Sequence, residues 1–293
     1  MHAEFRRLLD QQGGVVTSAQ ALTFLGRRGL QQQLNCTALQ RIWRGVYGSG
    51  EATIGLRLRG LDLAAGTTVA ACMATAAAAY GFDTERPPDL HVLNPGGRRL
   101  RSTDGLVVHR RADAPLILVA GRPATAPAWT AIEVARSLRR PRALATLDAA
   151  LRSGACSRVE LEQVVKQQSG RRGIVTVREL LGIASPLAES PMESEARLVM
   201  IDGGLPLPEL QYEVVDLTGH TWRLDFAWPD YRVAAEYDGV DWHSGPEAFL
   251  RDRHRSGSLQ DVRWTVVPIV AEDVRRRQRE LVARIERRLA RAA

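Results

Sequence analysis

The sequence predicts a mixed α/β protein in three parts, and three observations carry that prediction. Short helical faces separated by glycine turns and closed by a strand-like run fill residues 1–52. Helical patches around two extended segments fill residues 53–187. Residues 188–293 read as helix, three strands, helix, strand, helix, which is an α/β layer arrangement. A chain of 293 residues has room for two or three domains, at roughly 100 to 200 residues each.

The totals suit such a chain. A hydrophobic share of 45% and a charged share of 25% are those of an ordinary globular protein. No run of about 18 apolar residues occurs, and the start MHAEFRRLLDQQGG lacks the apolar stretch of a secretory signal. A cytoplasmic location without a membrane partner is therefore expected. The three cysteines, Cys36, Cys72 and Cys156, are widely spaced and form no CxxC pair. That argues against a disulfide framework or a zinc knuckle, and for buried small hydrophobes. The formal charge is +7 and nearly all the basic side chains are arginine, Lys166 being the only lysine. Such an excess is compatible with a nucleic-acid partner, although an arginine bias also follows from a GC-rich genome.

In the first part, Phe5, Leu8 and Leu9 share one face of a first helix that Gly13-Gly14 ends. Thr17-Ser18-Ala19-Gln20 has the spacing of a capping box and opens a second helix to about Leu25. GRRG at 26–29 turns the chain into a third helix, LQQQLNCTALQ, with Leu30 and Leu34 inward. Gln31, Gln32, Asn35 and Arg41 are left to solvent. A glycine is expected where Thr37 stands. RIWRGVYGSG then reads as a short strand and tight turn. Helix, helix, turn, helix, wing is the order of a winged helix-turn-helix.

The middle begins with an alanine-rich helix (VAACMATAAAAYGF) and continues through the extended runs DLHVLNPGG and GLVVHRR. Four helical patches follow: WTAIEVARSL, PRALATLDAALRSG, SRVELEQVVKQQ and VTVRELLGIA. This is a small α/β unit running into a helical connector. In the last part Ser190 caps a helix, Pro191 takes its first position and Gly203-Gly204 close it. ELQYEVVDL, TWRLDFAW and YRVAAEYD are strands joined by short turns at Thr218-Gly219 and Pro229-Asp230. Pro246 opens a helix to about Asp261, RWTVVPIV is a strand, and AEDVRRRQRELVARIERRLARAA is one long terminal helix. Its arginines surround Val274, Leu281, Ile285 and Leu289 at helical spacing and read as a solvated face.

Strand parity isolates a chemistry. In TWRLDFAW the even positions Trp222, Leu224, Phe226 and Trp228 are apolar, with Arg223 and Asp225 opposite. In YRVAAEYD the odd positions are apolar, with Arg232, Glu236 and Asp238 opposite. Pairing the strands sets Asp225, Glu236 and Asp238 on one face. Adjacent carboxylates call for a cation, and Mg2+ (or Mn2+) takes one or two carboxylates with waters and substrate phosphate. A metal so held activates water and stabilises charge on a phosphodiester.

These segments also carry a resemblance. SPMESEARLVMIDGGLPLPE, RLDFAWPDYRVAAEYDG, His243 and DRHRSGSL together resemble the restriction-endonuclease-like domain related to very-short-patch repair endonucleases, catalogued as domain of unknown function 559. The resemblance implies a restriction-endonuclease-like α/β domain over 188–293, with catalytic Glu193, Asp225, Glu236, Asp238 and His243. Asp225 and Glu236 would hold the metal, and Asp252 and Arg255 would support the site. The wider superfamily often has lysine two residues after the second acid, where this chain has Asp238. His243 then becomes the candidate for proton transfer. Plainer readings stand beside these: Glu193 completes a capping box with Ser190, Asp238 shapes the loop at Gly239, and His243 is a packed or surface histidine.

GGVVTSAQALTFLGRRGLQQQL followed by RIWRGVYGSG resembles the N-terminal winged helix of AbiEi-type antitoxins, which bind DNA. Residues 67–180 are similar to the middle region that accompanies it. The resemblance implies DNA as partner and admits a toxin protein as a second. Arg28, Gln31, Gln32 and Asn35 would approach base edges, and Arg41 and Arg44 in the wing would reach phosphate. There is no GxxxxGK[ST], HExxH or nucleotidyltransferase pattern, so NTPase, zincin and toxin roles are set aside. Two expectations result. One is a metal-dependent endonuclease that nicks or cleaves DNA. The other is a non-catalytic antitoxin or autoregulator that uses the nuclease fold for docking.

Overall fold

The computed structural model describes residues 3–82, 85, 88–94, 100–111, 113–239 and 246–292, and of residues 246–252 the backbone alone. The chain is mixed α/β and forms two compact units. One comprises Met1–Ala79 with Glu85–Thr130, and the other Tyr80–Thr84 with Ala131–Ala293.

The first unit starts with helix α1 (Ala3–Gln11), strand β1 (Val15–Thr17) and helix α2 (Ser18–Asn35). Thr17 and Gln20 form the expected reciprocal capping box at the start of α2. The GRRG turn contracts to one residue. Gly26 alone leaves helical geometry, with φ 63°, so the second and third expected helices run on across a kink. Gly supplies that left-handed conformation without a Cβ clash. The helix ends at Asn35, earlier than expected, and Thr37 takes the positive φ (57°) where a glycine was looked for. Strands β2 (Gln40–Trp43) and β3 (Val46–Gly48) form a hairpin over Arg44-Gly45. β1, which the sequence reading missed, pairs antiparallel with β3, giving the order β1-β3-β2. Phe5, Val16, Ala21, Leu30, Leu39 and Tyr47 close the core beneath.

Helix α3 (Ile54–Ala65), also missed, packs Leu56, Leu58 and Leu61 against Trp43, Val46 and Val92. Helix α4 (Met73–Ala79) and parallel strands β4 (Leu90–Leu93) and β5 (Leu106–His109) fit the expected alanine-rich helix and extended runs. A further hairpin, β6 (Leu116–Val119) with β7 (Arg122–Thr125), was not anticipated. Helix α5 (Pro127–Ala135) leads from the first unit into the second.

In the second unit the expected helical patches are α6 (Arg140–Arg152), α7 (Arg158–Gln167), α8 (Ile174–Ile183) and α9 (Pro191–Asp202). Then come β8 (Glu209–Val215), β9 (Thr221–Trp228), a 3-10 turn at Pro229–Tyr231, and β10 (Val233–Tyr237). Helix α10 (Pro246–Asp261) and strand β11 (Thr265–Ile269) follow. The terminal helix is broken: α11 (Ala271–Arg275) stops before α12 (Gln278–Ala292). The four strands stand in the order β11-β10-β9-β8, with β10 and β11 parallel and the other pairs antiparallel.

Both faces of this sheet are covered, as a strand pair this rich in apolar residues requires. Phe226, Trp228, Val233, Ala235, Val267 and Ile269 pack on α9, α11 and α12. Leu224, Ala227, Ala234 and Val214 pack on the other side with Leu259 of α10 and Trp264. The expected single apolar face of β9 is thereby corrected. Leu224, with Trp222 packed against its cluster, belongs to one face, while Phe226 and Trp228 belong to the other. The parity changes at Asp225. Opposite it on β8 is Gln211, held at φ 52°, and the ladder pairs Leu210–Phe226 and Tyr212–Leu224 on either side of that gap. An extra kink of this kind twists a strand and re-aims its side chains.

Cys72 and Cys156 are buried as expected, but Cys36 is exposed just past α2. Among the described residues no helix is long and apolar enough to cross a membrane.

Candidate functional site

The acidic site is assembled from five elements of the second unit, α9, β8, β9, β10 and α10. Ser190 caps α9 by accepting a hydrogen bond from the Glu193 N–H at 3.1 Å. The Glu193 carboxylate folds back to accept from the Glu189 N–H at 2.8 Å and from the Gln211 amide at 3.2 Å. The expected capping geometry is thus present, and the same carboxylate reaches Gln211 of β8.

Asp225 lies at the parity change of β9. Its Oδ2 accepts from the Tyr237 N–H at 2.9 Å, so a side chain takes the place of a ladder partner. Strand pairing runs Val233–Trp228, Ala234–Ala227, Ala235–Phe226, and continuing that register sets Glu236 beside Asp225. A straight strand would aim Asp225 to one face only. At the kink its charge reaches Glu193, from α9, and Glu236, on the face of α10.

Glu236 is the most perturbed of the group. Burial pushes its pKa up to about 7, against the pull of Arg255, and the neighbouring charges of Asp225 and Asp238 raise it further. Glu193 is raised above its ordinary value, mainly by burial and also by Asp225 and Glu189, while the hydrogen bonds from Glu189 N–H and Ser190 oppose the shift. Two carboxylates raised together in one cluster are what the like-charge and desolvation rules expect. Perturbation of this sort concentrates at functional sites.

Arg255 of α10 supplies the compensating charge. Its guanidinium grips both oxygens of Glu236 in a fork, one bond at 2.8 Å, and donates to the Arg223 carbonyl at 2.8 Å. The same group lies 5.9 Å over the Trp222 ring, which His220 and His254 flank. Asp238 extends the pairing of β10 with β11 through its N–H to the Ile269 carbonyl, and its charge acts on Glu236. That bond spans 2.8 Å from Asp238 N to Ile269 O. His243 lies outside the described residues, as does the side chain of Asp252.

The structure thus brings Glu193, Asp225, Glu236, Asp238 and Arg255 together. Gln211 was missed. The signal was present in the hairpin register, since the pairing that matches Leu210 with Phe226 puts Gln211 opposite Asp225.

For a divalent cation the donor chemistry fits, being hard carboxylate oxygen on adjacent strands. Among the described residues, however, no three His, Cys, Asp or Glu side chains converge closely enough to hold an ion. Both oxygens of Glu236 are taken by the Arg255 fork.

The first unit carries the second set of candidate residues. Arg28, Gln31, Gln32 and Asn35 line an open concavity of about 450 Å3 along the end of α2, together with Cys36. Gln31 donates to Asn35 at 2.8 Å, one turn on. Arg41 and Arg44, on and after β2, are exposed.

A multi-unit α/β chain with an acid cluster that runs from buried Glu193 to exposed Asp238, and an exposed polar helix face, is what the geometry defines. Residues 69–183 match the family described as the AbiEi antitoxin C-terminal domain. Over 266 residues the chain is 58% identical to an uncharacterized protein of Mycobacterium tuberculosis, MT2308 in strain CDC 1551 and Rv2248 in strain H37Rv. The match covers 91% of this chain and 98% of that protein. The chain belongs to the family of these mycobacterial proteins. The antitoxin match falls on the middle region, where the resemblance at 67–180 was seen.

Proposed function

We propose that the protein binds DNA through its N-terminal region, a winged helix, and acts on phosphodiesters with a restriction-endonuclease-like C-terminal domain. The observation that carries this reading is that Asp225, at the kink of β9, acts electrostatically on both Glu193 and Glu236, and Asp238 on Glu236. The order α9, β8, β9, β10, α10, β11 supports it, since it gives the acids one end of a covered four-stranded sheet.

In this reading Asp225 and Glu236 hold Mg2+ or Mn2+, which when bound polarises a scissile phosphate and its attacking water. Gln211 and the Glu189 N–H fix the Glu193 carboxylate. Tyr237 N–H fixes Asp225. Arg255 draws the Glu236 pKa down against its burial and, on release, becomes a cation for the phosphate. His243 is the proposed proton carrier. Arg28, Gln31, Gln32 and Asn35 read bases, with Arg41 and Arg44 on the backbone.

A second reading has an observation of its own. The antitoxin-domain match over 69–183 and the closed Arg255–Glu236 fork both suit a regulator that docks on DNA, with a toxin as protein partner, and does not cut. Supercoiled plasmid incubated with Mg2+ or Mn2+ separates the two. Cleavage by the wild type that is lost in Asp225→Ala and Glu236→Ala establishes the nuclease. Equal inertness of all three, with a retained gel shift, establishes the regulator.

A further inference from the structure

The first unit holds a pair of histidines that neither reading uses. The chain has six histidines, and two of them, His91 on β4 and His109 on β5, meet ring to ring. His91 Nδ1 and His109 Nε2 are 2.9 Å apart, and the rings lie 5.1 Å centre to centre at an interplanar angle of 21°. The meeting is built by the fold. β4 and β5 are parallel, with His91 paired to Val107 and Leu93 to His109, so the two imidazoles stand on one face two positions apart.

The backbone around them is anchored. The His91 N–H donates to Thr75 Oγ1 at 2.7 Å, and the His91 carbonyl accepts from the Cys72 N–H at 3.1 Å. Both rings are half-buried, and the Asp89 carboxylate is close enough to act on the His91 ring. Carboxylates beside imidazoles commonly orient them as ligands.

We propose that His91 and His109 form a two-imidazole chelate for a first-row divalent transition metal, of the Zn2+ class. The spacing supports it quantitatively. Two nitrogens each about 2.0–2.1 Å from one ion lie roughly 2.9–3.4 Å apart for angles between about 90° and 109°. The observed 2.9 Å is at the near end of that interval. Imidazole nitrogen is a preferred ligand for such ions and a poor one for Mg2+, so this site is chemically distinct from the carboxylate cluster.

Among the described residues no third His, Cys, Asp or Glu closes around the pair. In the metal-free protein one ring N–H donates to the lone pair of the other. On binding, that proton moves to the far nitrogen of its own ring, so both facing lone pairs go to the ion and no net proton leaves a neutral pair. The bound ion ties β4 to β5.

The test is a Zn2+ titration of the full chain labelled with 15N-histidine, in a His2→Ala background that removes the N-terminal imidazole. The expected result is that His91 Nδ1 and His109 Nε2 move together to metal-bound shifts in a one-to-one complex. His91→Gln and His109→Gln should each weaken binding by about tenfold or more, the scale on which a metal site responds to loss of its supporting groups. Shifts confined to His220, His243 or His254, or an affinity in both variants equal to that of the unsubstituted parent, would overturn the proposal. So would unmoved His91 and His109 resonances in the wild-type background at excess Zn2+, a readout that needs no variant to fold.

Discussion

At the scale of single residues, Glu236 concentrates the opposing forces of the acid site. Its carboxyl is brought to about 7 by burial and by its acidic neighbours, while Arg255 pulls it down. A 13C-carboxyl titration should therefore give Glu236 a midpoint near 7, and Arg255→Gln should raise it further; a wild-type midpoint below 5 would sink this account of the site. The stability consequence has a definite sign. A folded-state pKa above the ordinary 4.5 means that the native protein holds the proton more tightly than the unfolded chain. The stabilisation is full below about 4.5 and is lost as pH rises through about 7. Thermal midpoints should thus fall between pH 5 and 8, and fall less in Glu236→Gln. Gln211 shows the same economy in its backbone. A non-glycine residue at φ 52° carries conformational strain of order 1–3 kcal/mol, and its amide ends on Glu193.

At the scale of elements, what was legible followed from local chemistry. Ser190, Pro191 and Gly203 marked α9 at both ends because caps act within one turn. The hairpin of β8 and β9 was readable from Thr218-Gly219, and Asp216 locks that turn through Thr218, His220 and Trp222. β1 was hidden because a three-residue strand has no period to read, and it exists only by pairing with β3. The parity break at Asp225 was hidden for a related reason: alternation reports the face a residue prefers, whereas the kink at Gln211 comes from tertiary demand. Pairings between helices were equally out of reach. Arg197 of α9 donates to the Asp148 carboxylate of α6 at 2.5 Å and to the Ile183 carbonyl at 2.5 Å. Asp148 is completely buried, and burial raises its pKa against the pull of Arg197. Breaking such a pair from one side costs about 3–5 kcal/mol, whereas replacing both partners by apolar groups is often neutral. Asp148→Ala should therefore speed hydrogen exchange in α6 and α9, and Asp148→Leu with Arg197→Met should restore much of the protection. Equal exchange in the single variant and wild type would remove the pair from the forces that hold these helices together.

At the scale of the whole molecule, the proposed function divides the work of the N-terminal face between affinity and selectivity. The chain carries a net charge of +7, which favours polyanions without regard to their sequence, so binding alone says little. The informative quantity is the slope of log affinity against log salt, about −0.9 for each phosphate neutralised on duplex DNA. Arg41 and Arg44 are exposed on and after β2, whereas Gln31, Gln32 and Asn35 line the concavity along α2. If the first pair touches phosphate and the second group reads bases, their variants must separate on two axes. Arg44→Ala should weaken binding to every duplex alike and make the slope shallower by about one unit. Gln32→Ala should leave the slope unchanged and cost about 1–3 kcal/mol on the preferred site only, since an amide in the major groove is matched to one base edge. Both measurements follow from fluorescence anisotropy on a selected site and a scrambled duplex across a salt series. Should Gln32→Ala instead lose affinity equally on both duplexes with a shallower slope, the concavity is an electrostatic contact. Should neither variant change anything, the face belongs to a protein partner, and DNA must meet the chain elsewhere.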